Sequence, residues 1–192
     1  DQDNGSLTVR TVAFDFVAPF AAFVKTKLPK VQLEALSKIE YLDLARGEAD
    51  LAMRARAPSP GSDLVAIASF EHDNAVHVSR SYAAKLKPKP ALTDLAWVAW
   101  APPYDDVTPN PQLRALIPDF KPVFTSDNFL VLLQAAEAGV GAMVRGNVRH
   151  RFAMPSQLVP LDIPLGRYAR SVTHLVCAKS ALQVPRIKAV AD

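Results

Sequence analysis

Short apolar runs typical of β-strands alternate with segments of helical periodicity along the chain, and this alternation restricts the possible folds more than any other feature. Strand patterns cover residues 7–14, 31–36 and 50–54, and helix patterns lie between them at 17–27 and 39–46. Strands and helices that alternate at this spacing are typical of βαβ units. The sequence therefore predicts an α/β fold with a mainly parallel sheet.

The alternation resumes in the second half of the chain with different contents, which indicates a second α/β lobe. Further strand patterns lie at 75–79, 97–100, 121–124, 140–145 and 172–178. Further helix patterns lie at 93–95, 129–138 and 184–190. Apolar residues cover most of the segment 129–138, which predicts a helix buried on several sides. Because the proline-rich connections are short, we expect lobe one, then lobe two, then a return to lobe one.

The composition excludes several classes of protein. Of the 192 residues, 49% are hydrophobic, which is enough for a core and too much for a disordered chain. No apolar run approaches the roughly 18 residues of a membrane span. The single cysteine, Cys177, excludes a disulfide framework and a cysteine-based zinc site. The net charge of +3 is too small to indicate nucleic-acid binding.

Motifs for catalysis are largely absent from the sequence. There is neither a G-x-S-x-G nucleophile elbow nor a Walker loop, and Gly139-Val140-Gly141 follows a helix pattern instead of opening one. The adjacent carboxylates Asp105 and Asp106 are expected to repel each other and face solvent. The four histidines form no short metal-ligand pair and stand at His72, His77, His150 and His174. We therefore expect no enzyme activity, no cofactor and no metal.

Candidate binding residues lie where predicted strands end. In open α/β sheets, ligands bind beyond the carboxyl ends of strands, where helix N-termini offer N–H groups and partial positive charge. The residues at such positions are Phe14, Asp15, Phe16, Arg54, Ala55, Arg56, Trp100, Thr125, Ser126, Asp127 and Asn128. Because Arg54 and Arg56 suit a carboxylate, a small organic anion is a natural ligand.

Purely structural roles stay open for several of these residues. Ser126 and Asp127 have the chemistry of an N-cap and can serve the following helix alone. Arg54 and Arg56 can instead pair with the nearby acids Glu48 or Asp50.

The aspartate after the first strand fits an anion poorly, because its charge would repel one. Asp15 can cap the helix at 17–27, pair with Arg54, or indicate a ligand with a cationic or hydroxyl group. Its two phenylalanine neighbours alternate, so one is expected in the core and the other in a cleft. Trp97 and Trp100, three apart in a strand pattern, are expected on opposite faces, one in the core and one at the cleft mouth.

Two segments carry a resemblance to a known family. Residues 42–54, LDLARGEADLAMR, resemble the stretch L-x-x-G-E-x-D-L-A-I-R, and residues 135–141, AAEAGVG, resemble A-A-x-A-G-x-G. Supporting matches lie at 28–33, at 63–65 and between Tyr82 and Trp100. In order and spacing, from about residue 5 to the end, the chain resembles the effector-binding (substrate-binding) domain of LysR-type transcriptional regulators.

The resemblance implies a two-lobed α/β fold of the periplasmic-binding-protein type 2, with two crossover strands near 76–79 and 172–175. Lobe I would comprise residues 1–76 plus 174–192, and lobe II residues 77–173. A small organic metabolite would bind in the cleft and act as the effector. DNA would be bound by a winged helix-turn-helix upstream of residue 1 in a cytoplasmic homodimer or homotetramer without contact to a membrane. The alternative on the same fold is a periplasmic solute-binding protein of a transporter.

Two departures from the family pattern bear on the ligand. Many relatives carry a small hydroxyl residue after the first strand to hold an effector carboxylate, whereas this chain has Phe14-Asp15-Phe16. Relatives often continue to Leu-Pro after the glycine at 141, whereas this chain has Met143-Val144-Arg145-Gly146. We expect Arg145 to be exposed to solvent, although it could supply a cation near the cleft.

Overall fold

A computed structural model describes residues 5–10, 14–37, 39–147 and 157–191, with the side chains of 5–10, 14–16, 186 and 191 outside the description. The strands are β1 (Gly5–Arg10), β2 (Val31–Leu36), β3 (Leu51–Arg54), β4 (Leu64–Ser79), β5 (Val98–Trp100), β6 (Phe124–Ser126), β7 (Met143–Asn147), β8 (Leu158–Leu161) and β9 (Arg170–Ala178). The α-helices are α1 (Phe14–Lys27), α2 (Arg80–Ala83), α3 (Asn110–Leu116), α4 (Phe129–Glu137) and α5 (Pro185–Ala191). Short 3-10 turns cover Leu92–Asp94, Gly166–Tyr168 and Lys179–Gln183.

The chain divides into two compact units. Unit 1 comprises 1–71, 149–154 and 172–192, and unit 2 comprises 72–148 and 155–171. The long strands β4 and β9 each contain residues of both units. The predicted lobe boundaries, 76/77 and 173/174, lie in these same two strands, a few residues from the boundaries of the units.

Unit 1 contains a mixed sheet in the order β2-β1-β3-β9. Strand β1 runs parallel to β2 and β3, whereas β3 and β9 are antiparallel. Side chains alternate between the two faces of β3, because successive strand residues point in opposite directions. Leu51 packs with Cys177 and Ile187 on one face, and Ala52 packs with Val176 on the other.

Unit 2 is built on two groups of strands. The end of β4 pairs with β7 and β8 in antiparallel fashion, and β5 pairs with β6 in parallel. Its main core consists of Val76, Val78, Leu95, Trp97, Leu113, Ile117, Ala142, Ile163 and Leu165. The chain approaches itself closely at Gly141, where a Cβ atom would lie 2.8 Å from the Ala96 carbonyl oxygen, so this position requires a glycine.

The prediction of a mainly parallel sheet is wrong, because β3–β9, β4–β7 and β4–β8 are all antiparallel. A strand pattern in the sequence indicates that a segment is extended and which residues are buried. It carries no information on the direction of its neighbour, which is set by connections that span much of the chain.

The predicted helix at 39–46 is not formed. The structure has turns there, with the Gly47 N–H bonded to the Leu44 carbonyl and the Glu48 N–H to the Asp43 carbonyl. The Asp43 carboxylate accepts hydrogen bonds from the N–H groups of Ala45 and Arg46. A side chain that bonds the nearby backbone in this way offers the segment an alternative to a helix.

The expectation that the apolar helix is buried on several sides is also wrong. In α4, Leu132, Ala135 and Ala136 are buried, but Leu130 and Val131 are 48% and 40% exposed. The helix therefore buries one face within its unit, as an ordinary surface helix does.

Candidate functional site

The two parallel strands of unit 2 end together at the first turn of α4. Ala99 is paired with Thr125, and Trp100 with Ser126, so the side chains of Trp100 and Ser126 lie on the same face of the strand pair. Strand β6 covers Phe124–Ser126 and not the predicted 121–124. The predicted residues Trp100, Thr125, Ser126, Asp127 and Asn128 are thus brought together.

Three aromatic rings meet at this point. The ring centroid of Trp100 lies 6.1 Å from that of Tyr104 and 6.2 Å from that of Phe129. We call Trp100, Tyr104, Ser126, Asn128 and Phe129 the β5–β6 corner. Tyr104 and Phe129 were missed by the sequence analysis, because ring contacts between residues on separate segments leave no local pattern.

Both tryptophans are buried, whereas one was expected in the core and the other at the cleft mouth. Trp97 is 2% exposed and Trp100 is 7% exposed. Each indole N–H donates to a main-chain carbonyl, that of Leu92 at 3.0 Å for Trp97 and that of Thr108 at 3.1 Å for Trp100. Both indoles can therefore be buried without leaving a polar atom unsatisfied.

A buried asparagine holds the end of β5. The Asn110 Oδ1 accepts from the Trp100 N–H at 3.2 Å, and its Nδ2 donates to the Trp100 carbonyl at 2.9 Å. Its side chain therefore acts like a neighbouring strand along this edge of β5. Asn110 was not among the predicted site residues, and its one signal in the sequence is its place between two prolines.

The start of α4 is capped by a different residue than predicted. Ser126 and Asp127 were the predicted caps, but Asn128 is the N-cap, and its Oδ1 accepts from the N–H groups of Leu130 and Val131. The Ser126 hydroxyl instead accepts from the Asn128 N–H at 3.1 Å. The helix starts later than the predicted cap because β6 extends to Ser126.

In unit 1, Arg54 ends β3 and is half-buried. One of its terminal nitrogens donates to the Leu42 carbonyl at 2.7 Å, and its guanidinium lies 4.8 Å from the centre of the Tyr41 ring. Its Nε atom is buried without a hydrogen-bond partner among the described residues. Ala55 and Arg56 follow it in an exposed loop.

The predicted residues near the first strand lie in a helix. Strand β1 ends at Arg10, and Phe14, Asp15 and Phe16 form the first turn of α1. Because α1 begins at Phe14, Asp15 lies inside the helix and not at a cap before residue 17. Their side chains lie outside the described part of the chain.

A hydroxyl and an imidazole meet on the sheet of unit 1. The Ser69 Oγ lies 2.7 Å from the Nδ1 of His174, which is directly paired with Arg54 across β3 and β9. Paired residues of antiparallel strands share a face, so Arg54, His174 and Ser69 lie on one side of the sheet.

Comparison with known proteins identifies the family of this chain. The model of the LysR substrate binding domain matches residues 2–192. The chain belongs to this family. The LysR regulatory domain of Neisseria meningitidis CrgA has a similar structure, with a TM-score of 0.72 at 20% identity over 98% of this chain and 96% of that one.

Two further solved structures show the same fold. A C206S mutant of the Vibrio vulnificus OxyR2 regulatory domain has a TM-score of 0.67 at 16% identity, over 100% of this chain and 95% of that one. The regulatory domain of Vibrio vulnificus AphB has a TM-score of 0.59 at 15% identity, over 97% and 96% of the two chains. Among curated proteins, no sequence matches.

The family assignment confirms the two-lobed fold of periplasmic-binding-protein type 2 and the role of a ligand-sensing regulatory domain. The neighbours are transcriptional regulators, which does not favour the alternative of a transporter solute-binding protein. Within the described residues, the LysR domain has no helix long and apolar enough to cross a bilayer.

The described histidines of the LysR domain belong to no metal site. No group of three His, Cys, Asp or Glu side chains among the described residues could hold a metal ion. His77 is buried in β4, and burial lowers its pKa, as does the charge of Arg145, against the raising effect of the hydrogen bond to the Ala75 carbonyl. Arg145, which the sequence analysis expected to be exposed, is half-buried in β7.

Proposed function

We propose that this LysR regulatory domain binds a small organic metabolite at the β5–β6 corner and controls transcription without transforming the ligand. The observation that carries this proposal is the parallel pair of β5 and β6, which ends against the first turn of α4. Ligands of open α/β sheets bind beyond such strand ends, because several side chains converge there on a rigid frame.

The rigidity of the corner supports a binding role. The Asn110 side chain is hydrogen-bonded to both the N–H and the carbonyl of Trp100, and the Thr108 carbonyl accepts from the Trp100 indole N–H. A side chain fixed in this way loses little freedom when a ligand contacts it, which favours affinity. In unit 1, Phe14, Asp15, Phe16, Arg54, Ala55 and Arg56 remain predicted ligand contacts.

We further propose how binding reaches DNA. The effector would favour one of two pre-existing arrangements of the domain, and a winged helix-turn-helix in the same protein would respond to that shift. Coupling of this kind is typically about 1–3 kcal/mol. The protein would act in the cytoplasm as a homodimer or homotetramer, which light scattering would identify by mass.

We propose that the domain is not an enzyme. The pair Ser69–His174 resembles a nucleophile and its base, but catalytic pairs need a third group that orients the imidazole. Among the described residues, no carboxylate bonds the other ring nitrogen of His174. We expect any bound metabolite to be recovered unchanged after incubation, and a mass spectrum that shows a product would contradict this part of the proposal.

Binding is tested by screening a panel of metabolites against the 192-residue chain by thermal stabilisation, followed by calorimetry on each compound that responds. The substitution Ser126→Ala removes a hydroxyl of the corner and should weaken a true effector about fivefold, the value of one hydrogen bond. Ser59→Ala, in an exposed loop of unit 1, is the matched control and should change nothing. The corner is excluded as the site if effector affinity is equal in both variants.

A further inference from the structure

The β5–β6 corner has few groups left for an anion. The Asn128 side chain accepts from the N–H groups of Leu130 and Val131, and its carbonyl accepts from Leu132. The Leu132 bond is the first regular bond of the helix, whereas the N–H groups of Leu130 and Val131 have no acceptor within α4 and are both engaged by the Asn128 side chain. An anionic ligand would have to displace this cap before it could use the helix N-terminus.

The charges that follow the two strands are negative. The six residues after Trp100 include Asp105 and Asp106 and no base, and Ser126 is followed directly by Asp127. Asp127 is exposed and forms no ion pair with any residue that the structure describes. Arg114 of α3 pairs with the Asp106 carboxylate and bonds the Asp105 carbonyl, so the charge of Asp106 is neutralised and Asp127 is the acid that the inference uses.

The rings at the corner favour a cation. Trp100 is in contact with both Tyr104 and Phe129, at centroid distances of 6.1 and 6.2 Å. The faces of aromatic rings are electrically negative and attract ammonium groups, most strongly where water is partly excluded. Tyr104 and Phe129 are half-buried, and the exposed Asp127 directly follows Ser126 in the chain, so its charge adds to the same preference.

We propose that the effector is an organic cation, an amine carried on or beside an aromatic or other apolar ring, and that Asp127 and the corner rings recognise its ammonium group. This inference rests on the proposed function, because it specifies the ligand of the same corner. It departs from the carboxylate preference that the arginines of the sequence suggested.

The test compares two probes with the same phenylethyl skeleton, phenethylamine as the cation and 3-phenylpropanoate as the anion. Binding of each to the 192-residue chain is measured by calorimetry and by the fluorescence of Trp100 in a Trp97→Phe variant. We expect the amine to bind at least about tenfold more tightly, and to weaken as salt is added.

Substitutions identify the groups responsible. Asp127→Asn should weaken phenethylamine about fivefold without a change in the urea midpoint, and Asp119→Asn, an exposed acid in the same unit, should have no effect. Calorimetry on the unsubstituted chain gives the same comparison if Trp97→Phe fails to fold.

Several results would overturn the inference. Tighter binding of 3-phenylpropanoate, above all if Arg56→Ala abolishes it, would show an anion site, and equal binding of phenethylamine to the Asp127→Asn variant would exclude Asp127. Failure of phenethylamine to bind, while a neutral or anionic metabolite binds and perturbs Trp100, would overturn the cation preference and leave the proposed function standing. If no compound perturbs Trp100, both proposals fail.

Discussion

Trp97 and Trp100 stand at the two ends of one short extended segment, and their surroundings differ although both are buried. Trp97 lies in the apolar core of unit 2, with the edge of Phe120 at a centroid distance of 6.4 Å. Trp100 contacts Tyr104 and Phe129, and its backbone is held by Asn110. We call the surroundings of Trp97 the core end and those of Trp100 the site end.

The comparison teaches that burial alone does not separate a core residue from a candidate site residue. At the core end, burial of apolar surface accounts for the packing. At the site end, polar side chains and main-chain groups satisfy one another in a network that leaves hydroxyl and carboxylate groups exposed nearby. The chemistry around a buried ring, and not its accessibility, indicates which role it serves.

The strongest test of the core end is Trp97→Ala. Removal of a fully buried tryptophan leaves a cavity, and such substitutions cost about 3–5 kcal/mol. The free energy of unfolding in urea, followed by circular dichroism, should fall by that amount, whereas Trp97→Phe should lose clearly less. A loss under about 1 kcal/mol would show that the Trp97 ring contributes little to the packing of this core.

The corresponding test of the site end is Asn110→Leu. This change removes the partners of both the Trp100 N–H and the Trp100 carbonyl, and each buried polar group left unsatisfied costs about 1–3 kcal/mol. For the two groups together, urea unfolding should show a loss of about 2–6 kcal/mol. An unchanged free energy of unfolding would show that Asn110 does not hold the end of β5.

The variant Asn110→Asp tests the role of the Asn110 Nδ2 donor separately. An ionised aspartate keeps the acceptor for the Trp100 N–H but faces the Trp100 carbonyl without a donor, whereas a protonated one can donate to it. Its destabilisation should therefore become smaller as the pH is lowered. Equal destabilisation at all pH values would contradict the role assigned to the Asn110 Nδ2.

Protonation of His77 should have a smaller effect on the free energy of unfolding. This histidine lies between the core residues Val76 and Val78 on β4. Burial lowers the pKa of His77 below 6.5, so the unfolded chain binds the proton more readily. Stability from this group is complete above pH 6.5 and is lost as the pH falls through the folded-state pKa. Urea unfolding between about pH 7.5 and 5 should show this loss, and a slope unchanged in His77→Gln would assign it to another group.

The smallest effect is expected at the surface beside the core end. Asp94 accepts from the Ala91 N–H at 2.6 Å and pairs with Lys87 at 2.9 Å, and the hydrogen bond from Lys87 lowers its pKa. Because Asp94 is exposed, Asp94→Asn should lower the thermal midpoint slightly, and Lys87→Ala should do so only at low salt. The expectation would be wrong if either variant lost as much stability as Asn110→Leu and if that loss did not depend on salt.

Much of the local structure was predictable from short patterns. The pattern at 50–54 predicted a buried strand, and β3 carries buried Leu51 and Ala52 after Gly47, whose φ of 77° favours glycine. The helix predicted at 39–46 does not form, because the Asp43 side chain accepts hydrogen bonds from the backbone of a turn. The competing bonds depend on one side chain, which the pattern of apolar residues does not describe.

The candidate site was predictable only in part. The residues at 125–128 were placed correctly at a strand end before a helix, because chain order alone brings them there. The identity of the helix cap could not be predicted, because it depends on where β6 ends. The end of β6 is set by its pairing with β5. The roles of Arg54 and Asn110 required knowledge of partners that lie elsewhere in the sequence.

The order of amino acids was sufficient to establish the family and most of the alternation of strands and helices, and to predict the strand ends where a ligand would bind. These properties follow from periodicity and from motifs a few residues long. Only the tertiary structure determined three further features: the direction of the strands, the ring contact of Trp100 with Phe129, and the hydrogen bonds of Asn110 to the Trp100 backbone. These features depend on contacts between segments that are far apart in the sequence. Such contacts form only when the whole domain packs.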